Sequence, residues 1–182
     1  MTSFTSSLSP DRDAIAIFVN EKYSYKDKKG VLSKSLAQKI NSFLGVLKAK
    51  KKNDEIISFD ISDKQKCFIV KVKSKYESFF PEESGGHFFS QLKKIKDLNK
   101  IDLFIDSLDF DKKKLIDFFS EFCLGFNLKS YTFNKYKTIN KEKNNKKINF
   151  KIITSHKNDL QKQYKYFDSI KEGVFLTRDL VS

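Results

Sequence analysis

Apolar residues recur along this chain both in short runs of strand length and in stripes at helical spacing. Continuous or alternating apolar runs predict strands over residues 14–20, 55–61, 66–73, 101–108 and 148–153. Apolar positions three or four apart predict helices over residues 33–47, 87–96, about 109–131 and 159–182. The order β-α-β-β-α-β-α-β-α predicts one α/β domain with three layers, in which helices flank a mixed sheet.

The helix predicted from Asp109 or Asp111 to about Tyr131 has the strongest apolar stripe of the chain. Its inward positions are Leu115, Phe118, Phe119, Phe122 and Phe126. Because burial of each such side chain contributes about 2 kcal/mol, we expect this helix at the centre of the core.

Other segments lack these patterns and predict loops. Residues 1–13 are rich in Ser and Thr and predict a flexible lead-in. Residues 74–86 contain Pro81 and the Gly85-Gly86 pair, so we expect a loop there, with Ser84 capping the helix that follows. The short polar turn over residues 62–65 predicts an antiparallel hairpin between its two flanking strands.

The net charge of +13 favours binding to nucleic acid. The residue types argue against it, because all but two of the 36 basic residues are lysines, whereas base and phosphate recognition relies on bidentate arginine. The lysines are also spread over every segment. We therefore attribute most of the charge to the amino-acid usage of an AT-rich genome. The alternative interpretation of the charge is that the chain is a stand-alone basic module that binds nucleic acid.

Neither a membrane span nor a secretory signal is predicted, because the longest apolar runs are far too short and the N-terminus has no basic region followed by an apolar one. Cys67 and Cys123 are the only cysteines, and both lie within apolar patterns. We interpret them as reduced core residues of a cytoplasmic protein.

Few residues carry a pattern that predicts catalysis. His87 and His156 have no second His or Cys at metal-ligand spacing, so we interpret both as structural or surface residues. Asp102 and Asp106 would share one face of the predicted strand as an acid–base pair, but their alternation with apolar residues favours a position on the solvent face or at its rim. The sequence therefore predicts no catalytic, cofactor-binding or metal-binding residue.

The segment Ser130-Tyr-Thr-Phe-Asn-Lys-Tyr-Lys-Thr138 mixes aromatic and basic residues directly after the Phe-rich helix. One interpretation is a stacking platform for nucleic acid. We favour the other, in which Tyr131 and Phe133 pack back under the helix while Lys135 and Lys137 stay in water.

The last predicted helix is amphipathic up to the end of the chain. Its final turns contain Val174, Leu176, Leu180 and Val181, with no glycine, proline or asparagine after them to end the helix. We expect these apolar side chains to pack against residues that would follow Ser182.

These two segments, in this order and at this separation, resemble the leucyl (cytosol) aminopeptidase family. The residues that match the family pattern are Tyr131, Phe133, Lys135, Tyr136 and Lys137 in the first segment and Arg178 and Asp179 in the second. The chain departs from the pattern at Thr132, where the family usually has Arg. It also lacks the glycine-rich turn that usually follows the second hairpin strand.

The resemblance implies a macro-domain-like fold over residues 14–158 and an interdomain connecting helix over residues 159–182, with the catalytic domain absent. It implies a parent enzyme that is cytoplasmic and hexameric and that releases N-terminal amino acids from peptides with two zinc or manganese ions, all held in the catalytic domain. This chain would then be catalytically silent. Its implied role is to flank the catalytic domain, to aid assembly and substrate access, and to contact DNA weakly, as some relatives do.

Kinship of fold with ADP-ribose-binding macro domains does not by itself imply that function. Those domains surround the diphosphate with glycine-rich loops, whereas the six glycines of this chain are dispersed and include one adjacent pair.

Overall fold

The computed structural model describes residues 2–51, 53–131 and 148–181. Six strands form one mixed sheet in the order β1-β6-β5-β2-β4-β3. The strands are β1 (Thr2–Thr5), β2 (Ala14–Val19), β3 (Ile56–Ser62), β4 (Gln65–Lys71), β5 (Lys100–Phe104) and β6 (Asn149–Ile153). All neighbours are parallel except β3 and β4, which form the predicted antiparallel hairpin.

Four helices cover the two faces of this sheet. They are α1 (Lys34–Ala49), α2 (Phe80–Lys93), α3 (Lys112–Ser130) and α4 (Lys157–Val181). The buried side chains of α1 pack on one face, and those of α2, α3 and α4 pack on the other. The predicted α/β fold with a three-layer, mixed sheet is therefore confirmed.

The core is built around β2 and α3, as the apolar pattern predicts. All six residues of β2 are fully buried, because the strand lies in the middle of the sheet with helices on both faces. The ring of Phe18 meets those of Phe119 and Phe122 edge to face, at centroid distances of 4.6 and 5.5 Å. Helix α3 begins after Asp111, whose carboxylate accepts a hydrogen bond of 3.0 Å from the Lys114 amide.

The prediction of a loose lead-in is wrong for the first residues. Residues Thr2–Thr5 form the edge strand β1, which runs parallel to β6. The amide of Thr154 donates a hydrogen bond of 2.9 Å to the Thr5 carbonyl. Only Phe4 of this strand packs against the core, so a strand of four mostly polar residues left no apolar alternation to recognise.

The loop predicted over residues 74–86 is too long, because α2 begins at Phe80. Pro81 lies in the first turn, where its missing amide hydrogen leaves no helical bond unmade. Ser84 is therefore inside the helix and does not cap it. The Gly85-Gly86 pair is also helical, and it faces α3 rather than forming a turn.

Candidate functional site

The end of α3 contacts the second half of α4, and this contact brings together the two family-like segments. The hydroxyl of Tyr131 donates a hydrogen bond of 2.6 Å to the Asp179 carboxylate. Its ring lies 4.9 Å from that of Phe175, between ring centroids. The guanidinium carbon of Arg178 lies 5.4 Å from the Tyr131 centroid, and Nη1 donates a hydrogen bond of 3.1 Å to the Leu128 carbonyl.

These contacts hold the two helices together through one aromatic ring and two charges. Loss of water around the Tyr131 hydroxyl raises its pKa above the ordinary value, and the hydrogen bond to Asp179 and the negative charge of that carboxylate add to the effect. The guanidinium of Arg178 offsets part of it. Arg178 also satisfies a carbonyl in the last turn of α3, a position where a cation is favourable.

The predicted packing of Tyr131 needs one correction, because the ring packs against Phe175 of α4 rather than back under α3. The sequence contained no local signal for this partner, because Tyr131 and Phe175 are 44 positions apart along the chain. The remaining motif residues Phe133, Lys135, Tyr136 and Lys137 lie outside the described residues.

Helix α4 has apolar residues on its outward side as well as on its inward side. Inward, Leu160 is fully buried, and the ring of Tyr164 lies edge to face against Phe4, 5.5 Å away between centroids. Outward, the large apolar side chains that stay exposed are Tyr166, Ile170, Leu176, Leu180 and Val181. Each member of this second set, called here the outward stripe, is at least about one-third exposed. Of the four apolar residues singled out in the last turns, Leu176, Leu180 and Val181 are exposed and Val174 is half-buried, and their packing against further residues stays a prediction.

A cavity of about 150 Å³ opens where the parallel strands β2, β5 and β6 end. Its floor is apolar and its rim is charged, a combination typical of small-ligand pockets. The residues that line it are Lys26, Lys28, Lys29, Val31, Phe104, Asp106, Leu108, Asp109, Phe110, Leu115, Ser155 and His156.

Asp102 is buried rather than solvent-facing, whereas Asp106 is half-exposed at the rim of the cavity. Asp102 is only 2% exposed, and its two carboxylate oxygens accept hydrogen bonds of 2.6 Å from the Ser9 amide and 2.8 Å from the Ser9 hydroxyl. Asp106 lies in the 3-10 turn Ile105–Ser107 after β5, and it accepts hydrogen bonds from Thr154 and the Ser155 amide. The strand predicted over residues 101–108 therefore ends early, and the two carboxylates do not form an acid–base pair.

The two histidines are on the surface or at the cavity rim. His87 lies on the exposed side of α2, where Nδ1 is 3.7 Å from the Glu55 carboxylate and Nε2 is 3.0 Å from Gln91 Nε2. His156 precedes α4 and lines the cavity. Within residues 2–51, 53–131 and 148–181, no group of three or more His, Cys, Asp or Glu residues is placed to hold a metal ion.

Both cysteines are buried and unpaired, as predicted. Burial raises the pKa of the Cys67 and Cys123 thiols well above the ordinary range, because the thiolate would lose its hydration. In the part of the chain that the structure describes, no helix combines the length and the apolar character needed to cross a membrane.

Sequence reasoning did not find the cavity, although one signal for it was present. Ligands of open parallel sheets bind beyond the carboxyl ends of the strands. The segment Lys26-Asp-Lys-Lys-Gly30 follows the first buried strand, so the sequence alone makes its three lysines candidates for the rim.

No established protein-family profile matches the chain. A probable cytosol aminopeptidase of Phytoplasma australiense is 30% identical to it over 183 residues, which cover 96% of this chain and 35% of that protein. A probable cytosol aminopeptidase of Rhizobium etli is 34% identical over 94 residues, covering 49% of this chain and 18% of that protein. The chain thus spans about a third or less of the curated relatives it matches.

Solved structures with the same fold come from two groups of proteins. A mutant of tomato leucine aminopeptidase superposes with a TM-score of 0.70 at 18% identity, over 99% of this chain and 37% of that one. The macrodomain of Thermus aquaticus DarG superposes with a TM-score of 0.55 at 10% identity, over 85% of this chain and 98% of that one. These likenesses confirm the macro-domain-like fold. Together with the sequence matches, they show that the chain belongs to the leucyl (cytosol) aminopeptidase family, in which it corresponds to the N-terminal domain.

Proposed function

We propose that this chain is a non-catalytic domain that flanks the peptidase domain of a metal-dependent aminopeptidase. The observation that carries the proposal is the coverage of the Phytoplasma relative, because almost the whole chain matches only 35% of that protein. The parent would release N-terminal amino acids from peptides. Its two zinc or manganese ions and its catalytic residues would lie in the part of the family members that this chain does not span.

Helix α4 supports a connecting role for residues 159–182 between a domain at residues 14–158 and the peptidase domain. The outward stripe exposes 62% of Leu176, 74% of Leu180 and 80% of Val181. An apolar set of this size on one side of a helix is typical of a surface that a partner covers. The partner proposed here is the chain's own peptidase domain, and the hydrogen bond from Tyr131 to Asp179 would fix the direction in which α4 leaves the macro-like domain.

In this proposal the domain aids the assembly of a cytoplasmic homohexamer and aids the access of peptide substrates to the peptidase domain. Weak contact with DNA stays a prediction that the resemblance implies and that the lysine-rich composition allows. The same holds for the alternative of a stand-alone nucleic-acid-binding module. A steep loss of DNA affinity with salt, starting from nanomolar binding, would favour that alternative.

The first test is an activity assay of this chain alone with leucine p-nitroanilide, in the presence and absence of manganese or zinc. We expect no hydrolysis under either condition. Hydrolysis that chelation of the metal abolishes would contradict the proposal.

The second test uses a chimera in which this chain replaces the matching segment of the Phytoplasma relative. We expect the chimera to assemble and to hydrolyse the substrate. Leu180→Glu should impair both, because a carboxylate would be buried against the peptidase domain. Gln161→Glu is the matched control, since it places the same charge at an exposed position in the first half of α4. Equal behaviour of the two variants would argue against docking through the outward stripe.

A further inference from the structure

We propose that the cavity at the carboxyl ends of β2, β5 and β6 binds a small phosphate monoester with an apolar or aromatic group. The proposal is independent of the aminopeptidase assignment. It depends on the position of the cavity in the sheet, on the charges at its rim, on the rigidity of the loop that carries those charges, and on its apolar floor.

The cavity lies beyond two neighbouring parallel strands whose following connections go to opposite faces of the sheet. After β2 the chain passes to α1 on one face of the sheet, and after the neighbouring strand β5 it passes to α3 on the other face. The two connections therefore diverge and leave a gap beyond the strand ends. This is the position at which open α/β sheets bind their ligands.

The charges at the rim leave two lysines without an acidic partner. Lys26 forms an ion pair with Asp109. Asp106 accepts hydrogen bonds of 2.6 Å from the Thr154 hydroxyl and 2.7 Å from the Ser155 amide, so both of its oxygens are already engaged. Lys28 and Lys29 are exposed, and neither forms an ion pair with any residue that the structure describes. Their ammonium groups are thus available to an anion at the cavity mouth.

The loop that carries these lysines is held in place from both ends. The carboxylate of Asp27 accepts hydrogen bonds from the amides of Val31 and Leu32, at 2.8 and 2.9 Å. The Lys26 amide donates a hydrogen bond of 2.8 Å to the Ser107 carbonyl beside β5. Gly30 completes the turn with a φ of +62°, which other residues adopt at a cost. A loop fixed in this way loses little conformational entropy when a ligand binds.

The floor and the volume define the class of ligand. Phe104, Leu108, Phe110 and Leu115 offer an apolar surface beneath the lysines. A cavity of about 150 Å³ is smaller than the several hundred Å³ of sites that enclose drug-sized ligands, so it fits one anionic group with a small apolar part and not a dinucleotide. The Gly85-Gly86 pair lies within α2, so it is not available as a diphosphate-binding loop.

The test is an NMR titration of the 182-residue chain with phenyl phosphate and with inorganic phosphate at constant ionic strength. We expect saturable shifts of the amides in residues 26–31, 108–110 and 155–157. Because the apolar floor would bury part of the phenyl ring, phenyl phosphate should bind at least about threefold more tightly than inorganic phosphate. Equal affinities, or shifts spread over all lysine-bearing surfaces, would overturn the proposal.

A pair of double variants separates this site from general attraction of anions to a basic protein. Lys28→Gln with Lys29→Gln should weaken phenyl phosphate binding about tenfold, since two charge-assisted contacts are removed. Lys48→Gln with Lys50→Gln removes two exposed lysines at the end of α1, away from the cavity, and should leave the affinity within about twofold. An equal loss in both variants would show that the net charge alone is responsible.

Discussion

Gly85 of α2 lies directly against the carbonyl group of Phe122 in α3. A Cβ atom at Gly85 would be 1.9 Å from the Phe122 carbonyl oxygen, and one at Gly125 of α3 would be 1.9 Å from the carbonyl oxygen of Glu82 in α2. The two helices thus touch through their backbones. This contact explains why Gly85, which in isolation indicates a break, occurs within a helix.

We predict that Gly85→Ala or Gly125→Ala lowers the free energy of unfolding by about 3 kcal/mol or more, because the backbones of two packed helices must move apart. Urea denaturation measures the change. Gly45→Ala and Gly173→Ala are the controls, since both positions are helical and a Cβ would meet nothing within 4 Å. The controls should stabilise the protein by up to about 1 kcal/mol. A similar loss in all four variants would contradict the packing argument.

The buried carboxylate of Asp102 fixes the segment between β1 and β2. It accepts hydrogen bonds from both the amide and the hydroxyl of Ser9. Asp102→Ala should therefore lower the free energy of unfolding by about 1–3 kcal/mol, because the buried Ser9 amide is left without a partner. Hydrogen exchange should also become faster at residues 7–10. Ser9→Ala removes only the hydroxyl and should cost less, so a larger loss in Ser9→Ala would argue against this role.

Much of this fold was predictable from the sequence because burial leaves a regular pattern. The continuous apolar run of β2 and the phenylalanine stripe of α3 both indicate elements that are covered by others, and the structure places them at the centre. Asp111 also begins α3, as its side-chain chemistry suggests.

The errors arose where tertiary contacts decide the role of a residue. Gly85 indicates a turn when only its conformational freedom is considered. In the structure, its lack of a Cβ atom allows the backbone of α2 to contact that of α3. Asp102 indicates a solvent-facing position, but its partner Ser9 is 93 residues away in sequence. The cavity is formed by three loops that follow three separate strands. The contacts of Gly85 and Asp102 leave no local pattern, and the cavity leaves only the lysine-rich segment after β2.

The two cysteine thiols should be unreactive in the folded protein. Burial raises the pKa of both thiols, so neither the reactive thiolate nor access for a reagent is present. We predict that Ellman's reagent labels neither Cys67 nor Cys123 under native conditions and labels both in denaturant. Rapid labelling of Cys123 without denaturant would indicate that α3 opens locally.

The contact between Tyr131 and Asp179 should make the stability of α4 depend on pH in the alkaline range. The pKa of Tyr131 is raised in the folded protein, first by loss of hydration and then by Asp179. A group whose pKa is raised by folding stabilises the protein below its unfolded pKa, and this contribution disappears as the pH rises through the folded pKa. Tyr131→Phe should therefore lower the melting temperature at neutral pH, and the difference from the wild type should shrink above the ordinary tyrosine pKa of about 10.

The control for this experiment is Tyr166→Phe, because the Tyr166 side chain is 66% exposed and its hydroxyl makes no hydrogen bond with the residues described. Its melting temperature should follow that of the wild type over the whole pH range. A further variant, Asp179→Asn, keeps an acceptor for the hydroxyl but removes the negative charge, so the pKa of Tyr131 should fall toward its ordinary value. NMR of ¹³C-labelled tyrosine measures that titration directly. An unchanged pKa in Asp179→Asn would mean that desolvation alone raises the pKa of Tyr131, and it would contradict the contribution of Asp179 to the pH dependence.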